Sequence, residues 1–311
     1  MKKEQLDDIL ERLLSAREAN ISDLNITPDC PFQVEFEGSL IAVETDPGLR
    51  SQNKLLSSFQ TASIVCLLIG KQERCWQSLK ETGSCDLAYQ LRKTARFRVN
   101  IFTRRGSYSI VLRKLETEIP SLSDLNCPEI FSKVISEKTG LILVTGATGS
   151  GKSTTLAAML RHLNESQAIH IVTLEDPIEF VHPNIQATFN QRELGADFDT
   201  FPNALRAALR QAPKVILVGE MRDRQTLEIG LKAAETGHLV ISTLHTVDAG
   251  QTINRIVGMF DKDEEEQIRI RLSETLRWVI CQRLLKKEGG GRVACHEIMG
   301  SNLRTVELIQ Q

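Results

Sequence analysis

The sequence has 311 residues, a formal net charge of −2 and a hydrophobic content of 41%, so it can form two domain cores and lacks the basic excess of a protein that coats nucleic acid. It contains no apolar run of the roughly 18 residues that a membrane-spanning helix needs, and the charged start "MKKEQLDDILERLL" does not resemble a signal peptide. The seven scattered cysteines form no CxxC pair, which favours a reduced cytoplasmic protein without a zinc site.

The first part of the chain is predicted to form a small α+β domain over residues 1–115. Leucines recur at helical spacing in "LDDILERLL", and "PFQVEFEGSLIAVE" alternates as two strands around a turn at Glu37 and Gly38. The stretch "ARFRVNIFTRRGSYSIVLRKL" predicts a hairpin with Gly106 in its turn. The polar, proline-containing residues 116–128 are predicted to be a linker.

Residues 129–311 show a different sequence pattern, in which short apolar strands alternate with helical segments. The strands are "GLILVTG", "HIVTLED", "KVILVGE" and "HLVISTLH". Near-continuous apolar strands of this kind are typical of a parallel sheet that is buried on both faces. The alternation of strands and helices therefore predicts an α/β domain.

The stretch "LILVTGATGSGKSTTL" matches the phosphate-binding pattern G-x-x-x-x-G-K-[ST] between a strand and a helix. Glycines let several backbone N–H groups point at phosphate oxygens, and the start of the helix adds its dipole. Lys152 is predicted to contact the β- and γ-phosphates, and Ser153 to offer its hydroxyl to Mg²⁺. The predicted nucleotide-binding residues are Gly146, Thr148, Gly149, Ser150, Gly151, Lys152, Ser153 and Thr154.

Two further strands end in carboxylates. Glu220 ends the strand in "VILVGEMRD", and Glu175 ends the strand in "TLEDPIEF", where Asp176 and Glu179 follow. Ligands of doubly wound sheets bind at the carboxyl ends of the strands, so these acids are expected beside the phosphates. Glu220 is predicted to polarise the attacking water or to hold the metal through water, whereas Glu179 is as easily a solvated loop acid.

His238 and His245 bracket the strand in "ETGHLVISTLHT" and are seven positions apart, so they are expected near opposite ends of that strand. A histidine beside a γ-phosphate can sense it through a hydrogen bond and respond to its loss. A zinc site is disfavoured here because no cysteine or third histidine is near.

Four segments, "GATGSGKSTT", "TLEDPIEFVH", "VILVGEMRD" and "AAETGHLVISTLHT", resemble in this order the Walker A, Asp, Walker B and His boxes of the secretion-superfamily ATPases. Within that superfamily, "FRVNIFTRRGS" and "GGGRVACHEIM" are most similar to the pilus retraction ATPases, the PilT family. The likeness runs from "ISDLNIT" to "HEIM" and so covers nearly the whole chain.

The resemblance implies an α/β fold in which a RecA-like P-loop ATPase domain follows a smaller α+β domain of the PAS-like type. It also implies a homohexamer that binds ATP and Mg²⁺ between the two domains, in the cytoplasm at the inner membrane. The implied partners are an inner-membrane platform protein and a related pilus ATPase. Family arginines that reach the nucleotide match Arg98 and Arg113, whereas Arg96, Arg104 and Arg105 fit solvated positions of the hairpin.

Some positions depart from the family pattern. Ala147 replaces a common proline, Asn25 a common histidine and Glu35 a usual basic residue. The last residues, "GSNLRTVELIQQ", lack a clear version of a segment that the family links to retraction, so the direction of force stays open. Assembly motors usually carry a longer N-terminal region and a four-cysteine zinc site, and neither is found, which favours retraction.

The alternatives to a retraction motor are a non-retracting paralogue and a regulatory ring subunit that binds ATP without hydrolysing it. A nucleic-acid motor of the RecA or helicase type is a more distant alternative. The acidic balance and the lack of a basic, aromatic stacking groove speak against it.

Overall fold

The computed structural model divides the chain into two compact units, Met1–Thr117 (unit 1) and Glu118–Gln311 (unit 2). The residues that it describes are 1–15, 21–36, 39–43, 55–115, 118–288 and 290–311. The predicted turn at Glu37 and Gly38 lies outside them. Among the described residues, no helix combines the length and the apolar character needed to cross a membrane.

Unit 1 is built from helices that precede and interrupt an antiparallel sheet. Its described helices are α1 (Lys3–Ser15), α2 (Ser58–Ile69) and α3 (Glu73–Thr82). Its described strands are β1 (Asp23–Ile26), β2 (Gln33–Phe36), β3 (Ser39–Ala42), β4 (Ser84–Leu91), β5 (Ala95–Arg104) and β6 (Ser107–Leu115).

The sheet of unit 1 has the strand order β3-β2-β1-β6-β5-β4, with antiparallel pairing throughout. Alternate residues of β5, such as Phe97 and Val99, are buried in one core with the leucines of α1. The intervening residues Arg96, Arg98, Asn100 and Phe102 are half-buried or exposed, the alternation that is typical of a sheet packed on a core on one face. The predicted β5–β6 hairpin is confirmed, and its turn places Arg105 and Gly106 at positive φ.

Unit 2 alternates strands and helices as the sequence predicts. Its described helices are α4 (Ile130–Ile135), α5 (Lys152–Ser166), α6 (Phe201–Ala208), α7 (Arg224–Glu235), α8 (Ala249–Val257), α9 (Glu265–Thr275) and α10 (Leu303–Gln310), with a 3-10 turn at Lys262–Glu264. Its described strands are β7 (Gly140–Thr145), β8 (His170–Glu175), β9 (Thr188–Glu193), β10 (Val215–Val218), β11 (Leu239–Leu244), β12 (Leu276–Lys286) and β13 (Arg292–Gly300).

The sheet of unit 2 has the order β13-β12-β7-β11-β10-β8-β9 and is parallel except for β13, which pairs antiparallel with β12. All six residues of β7 are buried. Leu141 and Leu143 join one core cluster, and Ile142 and Val144 join another. The predicted parallel sheet with two covered faces is thereby confirmed, and the mixed architecture confirms the predicted α/β fold class.

Residues 118–128 differ from the linker prediction because they pack with unit 2. Arg161 Nη1 donates a 2.6 Å hydrogen bond to the carbonyl oxygen of Ile119. Leu122 and Cys127 pack against a core cluster of unit 2. Their polar, proline-containing composition therefore marks a covering segment of this unit rather than a free connection.

Candidate functional site

The carboxyl ends of four parallel strands of unit 2 meet at one edge of the sheet. Thr145 at the end of β7 pairs with Leu244 at the end of β11, and Val218 at the end of β10 pairs with Leu174 beside the end of β8. The predicted phosphate loop follows β7, and His245 follows β11. Glu220 lies two residues after the end of β10, and Glu175 is the last residue of β8. The parallel topology thus brings together four candidates that are far apart in sequence.

The predicted phosphate loop joins β7 to α5, and α5 begins at Lys152. Gly146 has φ 144° and Gly151 has φ 85°, a backbone conformation that favours glycine. Lys152 Nζ donates to the carbonyl oxygens of Gly146 at 2.9 Å and Ala147 at 3.0 Å. The loop therefore curls around the ammonium group of Lys152. Residues 146–153 form a concave loop that we call the phosphate cradle.

The interior of this cradle suits an anion. Lys152 is buried, and burial lowers the pKa of its ammonium group against the opposing charges of Glu220 and Glu179. The buried hydroxyl oxygen of Ser150 has no hydrogen-bond partner among the described residues. Thr148, Gly149 and Ser153 are exposed, and Thr154 is half-buried. Phosphate oxygens would satisfy both the cation and the hydroxyl, so the residues present fit a nucleotide.

Glu220 is held from two sides. Arg222 Nη2 lies 2.8 Å from Glu220 Oε2, and His245 Nε2 lies 3.3 Å from Glu220 Oε1. Burial alone would raise the pKa of Glu220, but the hydrogen bond and charge of Arg222, together with His245, lower it overall. Glu220 is therefore an ionised carboxylate at neutral pH and can accept a proton or hold a cation.

Glu175 is fixed by one side chain of its own strand, β8, and by one of the neighbouring strand β9. Thr173 Oγ1 donates to Glu175 Oε1 at 2.6 Å, and Gln191 Nε2, from β9, donates to the same oxygen at 3.1 Å. Asp176 is exposed and Glu179 is half-buried. These bonds give Glu175 a defined orientation at the edge, whereas Asp176 has the solvated position of an ordinary loop acid.

His238 lies at the other end of β11, as the seven-residue spacing predicts. Its backbone oxygen accepts a hydrogen bond from the Gly140 N–H, at the start of β7. Its Nδ1 lies 3.1 Å from the carbonyl oxygen of Ala233. Within unit 2, the structure therefore does not bring His238 together with Lys152 and Glu220.

Arg98 and Arg113 belong to unit 1, where they are direct cross-strand partners on β5 and β6. Arg98 Nε lies 4.0 Å from Asp86 Oδ1, and Arg113 Nε donates to Asp23 Oδ1 at 2.9 Å. Two like charges directly opposite each other repel, and the two aspartates offset this repulsion. The side chains are 50% and 69% exposed, so both guanidinium groups reach solvent.

A pocket of about 280 Å³ opens beside Glu220. Its lining includes Glu220, Arg222, His245, Thr246, Arg255 and Met259. The described residues contain no group of three or more His, Cys, Asp or Glu side chains that could hold a metal ion.

Sequence reasoning missed three polar residues that hold the candidates in place: Arg222 on Glu220, Gln191 on Glu175, and Gln282, whose contacts with the phosphate loop are described below. The sequence contains one indication of the role of Gln282, because this polar residue interrupts the largely apolar stretch "WVICQRLL". A buried polar side chain in such a run needs partners, although the sequence does not say which.

Comparison with known proteins places these observations in a family. The family model described as type II/IV secretion system protein matches residues 77–304. The chain is 43% identical over 292 residues to the type IV pilus retraction ATPase PilT of Pseudomonas aeruginosa, covering 94% of this chain and 82% of that protein. It is 51% identical over 257 residues to a twitching motility protein of Neisseria gonorrhoeae, covering 82% and 68%.

A solved structure is similar over the whole chain. The crystal structure of the pilus retraction motor PilT with bound ADP has a TM-score of 0.88 and 43% sequence identity, and the match covers 97% of this chain and 85% of that one. The structure of the Legionella pneumophila ATPase DotB also has a TM-score of 0.88, at 32% identity.

Proposed function

Because this chain belongs to the type II/IV secretion system protein family, and within it to the PilT group of ATPases, we propose that it couples ATP hydrolysis to type IV pilus retraction. The meeting of Lys152, Glu220, Glu175 and His245 at one edge of the unit 2 sheet carries this proposal. The relatives that are named for retraction and twitching motility, and the similar ADP-bound motor, support the substrate and the task.

Lys152 and the loop around it would bind the phosphates. The ammonium group exchanges the carbonyls of Gly146 and Ala147 for phosphate oxygens, and the start of α5 adds its positive dipole end. The Ser153 hydroxyl is exposed beside Lys152 and would hold Mg²⁺, with Glu220 acting through water. When bound, Mg²⁺ neutralises charge that develops on the transferred phosphoryl group.

Glu220 would orient and polarise the attacking water, since it is an ionised carboxylate at the edge where the phosphates bind. Glu175, fixed by Thr173 and Gln191, would help to orient that water, or a water bound to the metal. His245 contacts Glu220, so a change in the hydrogen bonding of this histidine on phosphate loss would reach the carboxylate directly. His238 would act at the opposite end of the same strand.

We place this chemistry in a homohexameric ring in the cytoplasm, at the inner membrane. Arg98 and Arg113 would complete the nucleotide site of the assembled ring, because a solvent-reaching arginine can add positive charge over the γ-phosphate. The movement of the ring would act on an inner-membrane platform protein, with a related pilus ATPase as a second partner.

The first test is the Mg²⁺-dependent ATPase activity of the purified chain, with the oligomer mass measured in parallel. Glu220→Gln is expected to lower kcat by roughly 10²–10⁴ and to leave ADP binding intact, because the amide keeps the shape but is not a base. Glu228→Gln is the matched control, since Glu228 is a half-buried partner of Arg224 on α7. Wild-type turnover by Glu220→Gln, or a hexamer that binds ATP without turnover, would contradict the proposal.

The direction of force requires a test in cells that carry this chain. With Glu220→Gln in place of the wild-type copy, we expect cells to keep their pili and to stop retracting them, measured by imaging labelled pili. Loss of pili would instead identify an assembly motor.

A further inference from the structure

Gln282 is a buried amide in the middle of β12, and none of the roles proposed above uses it. Its side chain belongs to a residue that is only 2% exposed. The preceding residue, Cys281, pairs with Thr145, where β7 ends and the phosphate loop begins. A polar group buried this deeply needs hydrogen-bond partners, so its contacts indicate what it holds.

The amide group of Gln282 connects the phosphate loop to α5 and β13. Its Nε2 donates to the carbonyl oxygen of Ser150 at 2.7 Å, and its Oε1 accepts from Thr155 Oγ1 at 2.8 Å. His296 Nε2, on β13, lies 3.1 Å from the same Oε1. Because an amide oxygen can only accept, the histidine donates this bond. Gln282 thus holds residues on both sides of Lys152 in the chain.

Gln282 also lies against the two glycines that define the motif, with its backbone at Gly146 and its side chain at Gly151. A Cβ atom on Gly146 would lie 2.3 Å from the carbonyl oxygen of Gln282, and one on Gly151 would lie 2.9 Å from Gln282 Nε2. Both distances are too short for a real contact. The motif glycines therefore allow the close approach of β12 as well as the turn of the loop.

We infer that Gln282 is a positioning residue of the phosphate cradle, and this inference rests on the proposed nucleotide-binding function. A trans peptide plane points its C=O and its N–H in opposite directions. By holding the Ser150 carbonyl towards β12, Gln282 fixes the Gly151 N–H on the other side of that plane. Its bond to Thr155 fixes the first turn of α5, which carries Lys152 and Ser153.

The test compares Gln282→Met, which removes both bonds, with Gln282→Glu, which keeps the acceptor and turns a carboxylate oxygen towards the Ser150 carbonyl. We expect the dissociation constant for ADP and the KM for ATP to rise about tenfold in Gln282→Met and further in Gln282→Glu, with a smaller change in kcat. The probe is fluorescent ADP, and each titration is done at a temperature far below the thermal unfolding midpoint of every variant.

Two further variants decide between positioning and general stability. Thr155→Val removes one hydroxyl at nearly constant shape and is expected to weaken ADP binding by a few-fold, which tests the inference even if Gln282→Met does not fold. Gln310→Glu makes the same chemical change in α10, where Gln310 donates to Ser273 Oγ, and is expected to bind ADP as the wild type does.

A purely structural role of Gln282 would lower the unfolding midpoint and leave the dissociation constant for ADP unchanged. That result in the folded Gln282 variants and in Thr155→Val would overturn the inference while the wild type still binds ADP. If the wild type itself does not bind ADP, the proposed function fails and the inference fails with it.

Discussion

The two sheets of this molecule hold their charged candidate residues in opposite ways. In unit 2, Glu220 is 19% exposed and is contacted by Arg222 and His245. In unit 1, Arg98 and Arg113 are 50% and 69% exposed. The carboxylate is therefore fixed by protein groups, whereas the guanidinium groups can change partners at little cost. The sheet of unit 2 thus holds its charged candidates in an ordered arrangement, and the sheet of unit 1 leaves its two candidate arginines adjustable.

The difference follows from strand pairing. A parallel sheet covered on both faces leaves only its edges for function, so the polar groups of unit 2 collect where strands end among buried neighbours. An antiparallel sheet covered on one face carries polar residues along the whole of its other face. Long side chains there keep their charged ends in water, where ion pairs contribute little stability.

The largest expected effect concerns Arg98, one of the two exposed candidate arginines of unit 1. If Arg98 completes the nucleotide site as proposed, Arg98→Ala is expected to lower ATP turnover by roughly 10³–10⁵, the contribution that such an arginine makes in related phosphoryl transfer. The partner Asp86 is 57% exposed and stays hydrated, so unfolding is expected to be unchanged. Turnover, ADP affinity and the unfolding midpoint are measured on the same preparation.

Arg104→Ala is the matched control for this experiment, because Arg104 is an exposed arginine of the same strand, β5. Equal turnover in both variants would remove Arg98 from the site and would leave Arg113 as the candidate arginine of unit 1.

The second prediction concerns the buried groups of unit 2. His182 is 8% exposed and stacks on Phe189 with ring centroids 4.6 Å apart, and burial lowers its pKa to about 4. Between pH 4 and 6.5 the unfolded chain binds the proton that the folded chain does not. The free energy of unfolding should therefore rise with pH over this window, by up to about 3 kcal/mol. Above pH 6.5 this contribution should no longer change with pH.

His182→Phe keeps an aromatic ring on Phe189 and is expected to remove this part of the pH dependence, measured by denaturant unfolding across the window. The exposed His162, replaced in the same way, is the matched control. An unchanged slope in His182→Phe would show that other groups cause the acid loss of stability.

The smallest expected effects compare one helix cap in each unit. Asp223 caps α7 by accepting from the Thr226 N–H at 2.8 Å, and Ser57 caps α2 by accepting from the Gln60 N–H at 3.2 Å. Each Ala substitution should lower the free energy of unfolding by about 1 kcal/mol in its own unit. Asp223→Asn and Ser57→Thr keep an acceptor and should lose less, which denaturant titration can measure.

The sequence predicts the parts of this fold that depend on local pattern. The apolar runs of β7, β10 and β11 are typical of strands buried on both faces, and the phosphate pattern predicts that α5 begins at Lys152. The rule that ligands bind at the carboxyl ends of the strands then predicts that Lys152 and Glu220 lie at the same edge. These inferences need periodicity and chain direction only.

The remaining features depend on contacts between distant segments. The pairing of β12 with β7, which brings Gln282 to the phosphate loop, joins residues more than a hundred positions apart. The position of Arg222 on Glu220 depends on a side-chain rotamer. Residues 118–128 have the composition of a linker, yet Leu122 packs on a core because tertiary burial overrides local composition.

The closed cradle has a consequence for thermodynamics. Lys152 donates to the carbonyls of Gly146 and Ala147 in its own loop, so phosphate oxygens would have to replace acceptors that the protein itself supplies. Binding is then an exchange reaction, in which one set of acceptors leaves the ammonium group as another arrives. The affinity measured for any nucleotide is the difference between the two sets of bonds, so a tight contact in the complex need not produce a large binding enthalpy.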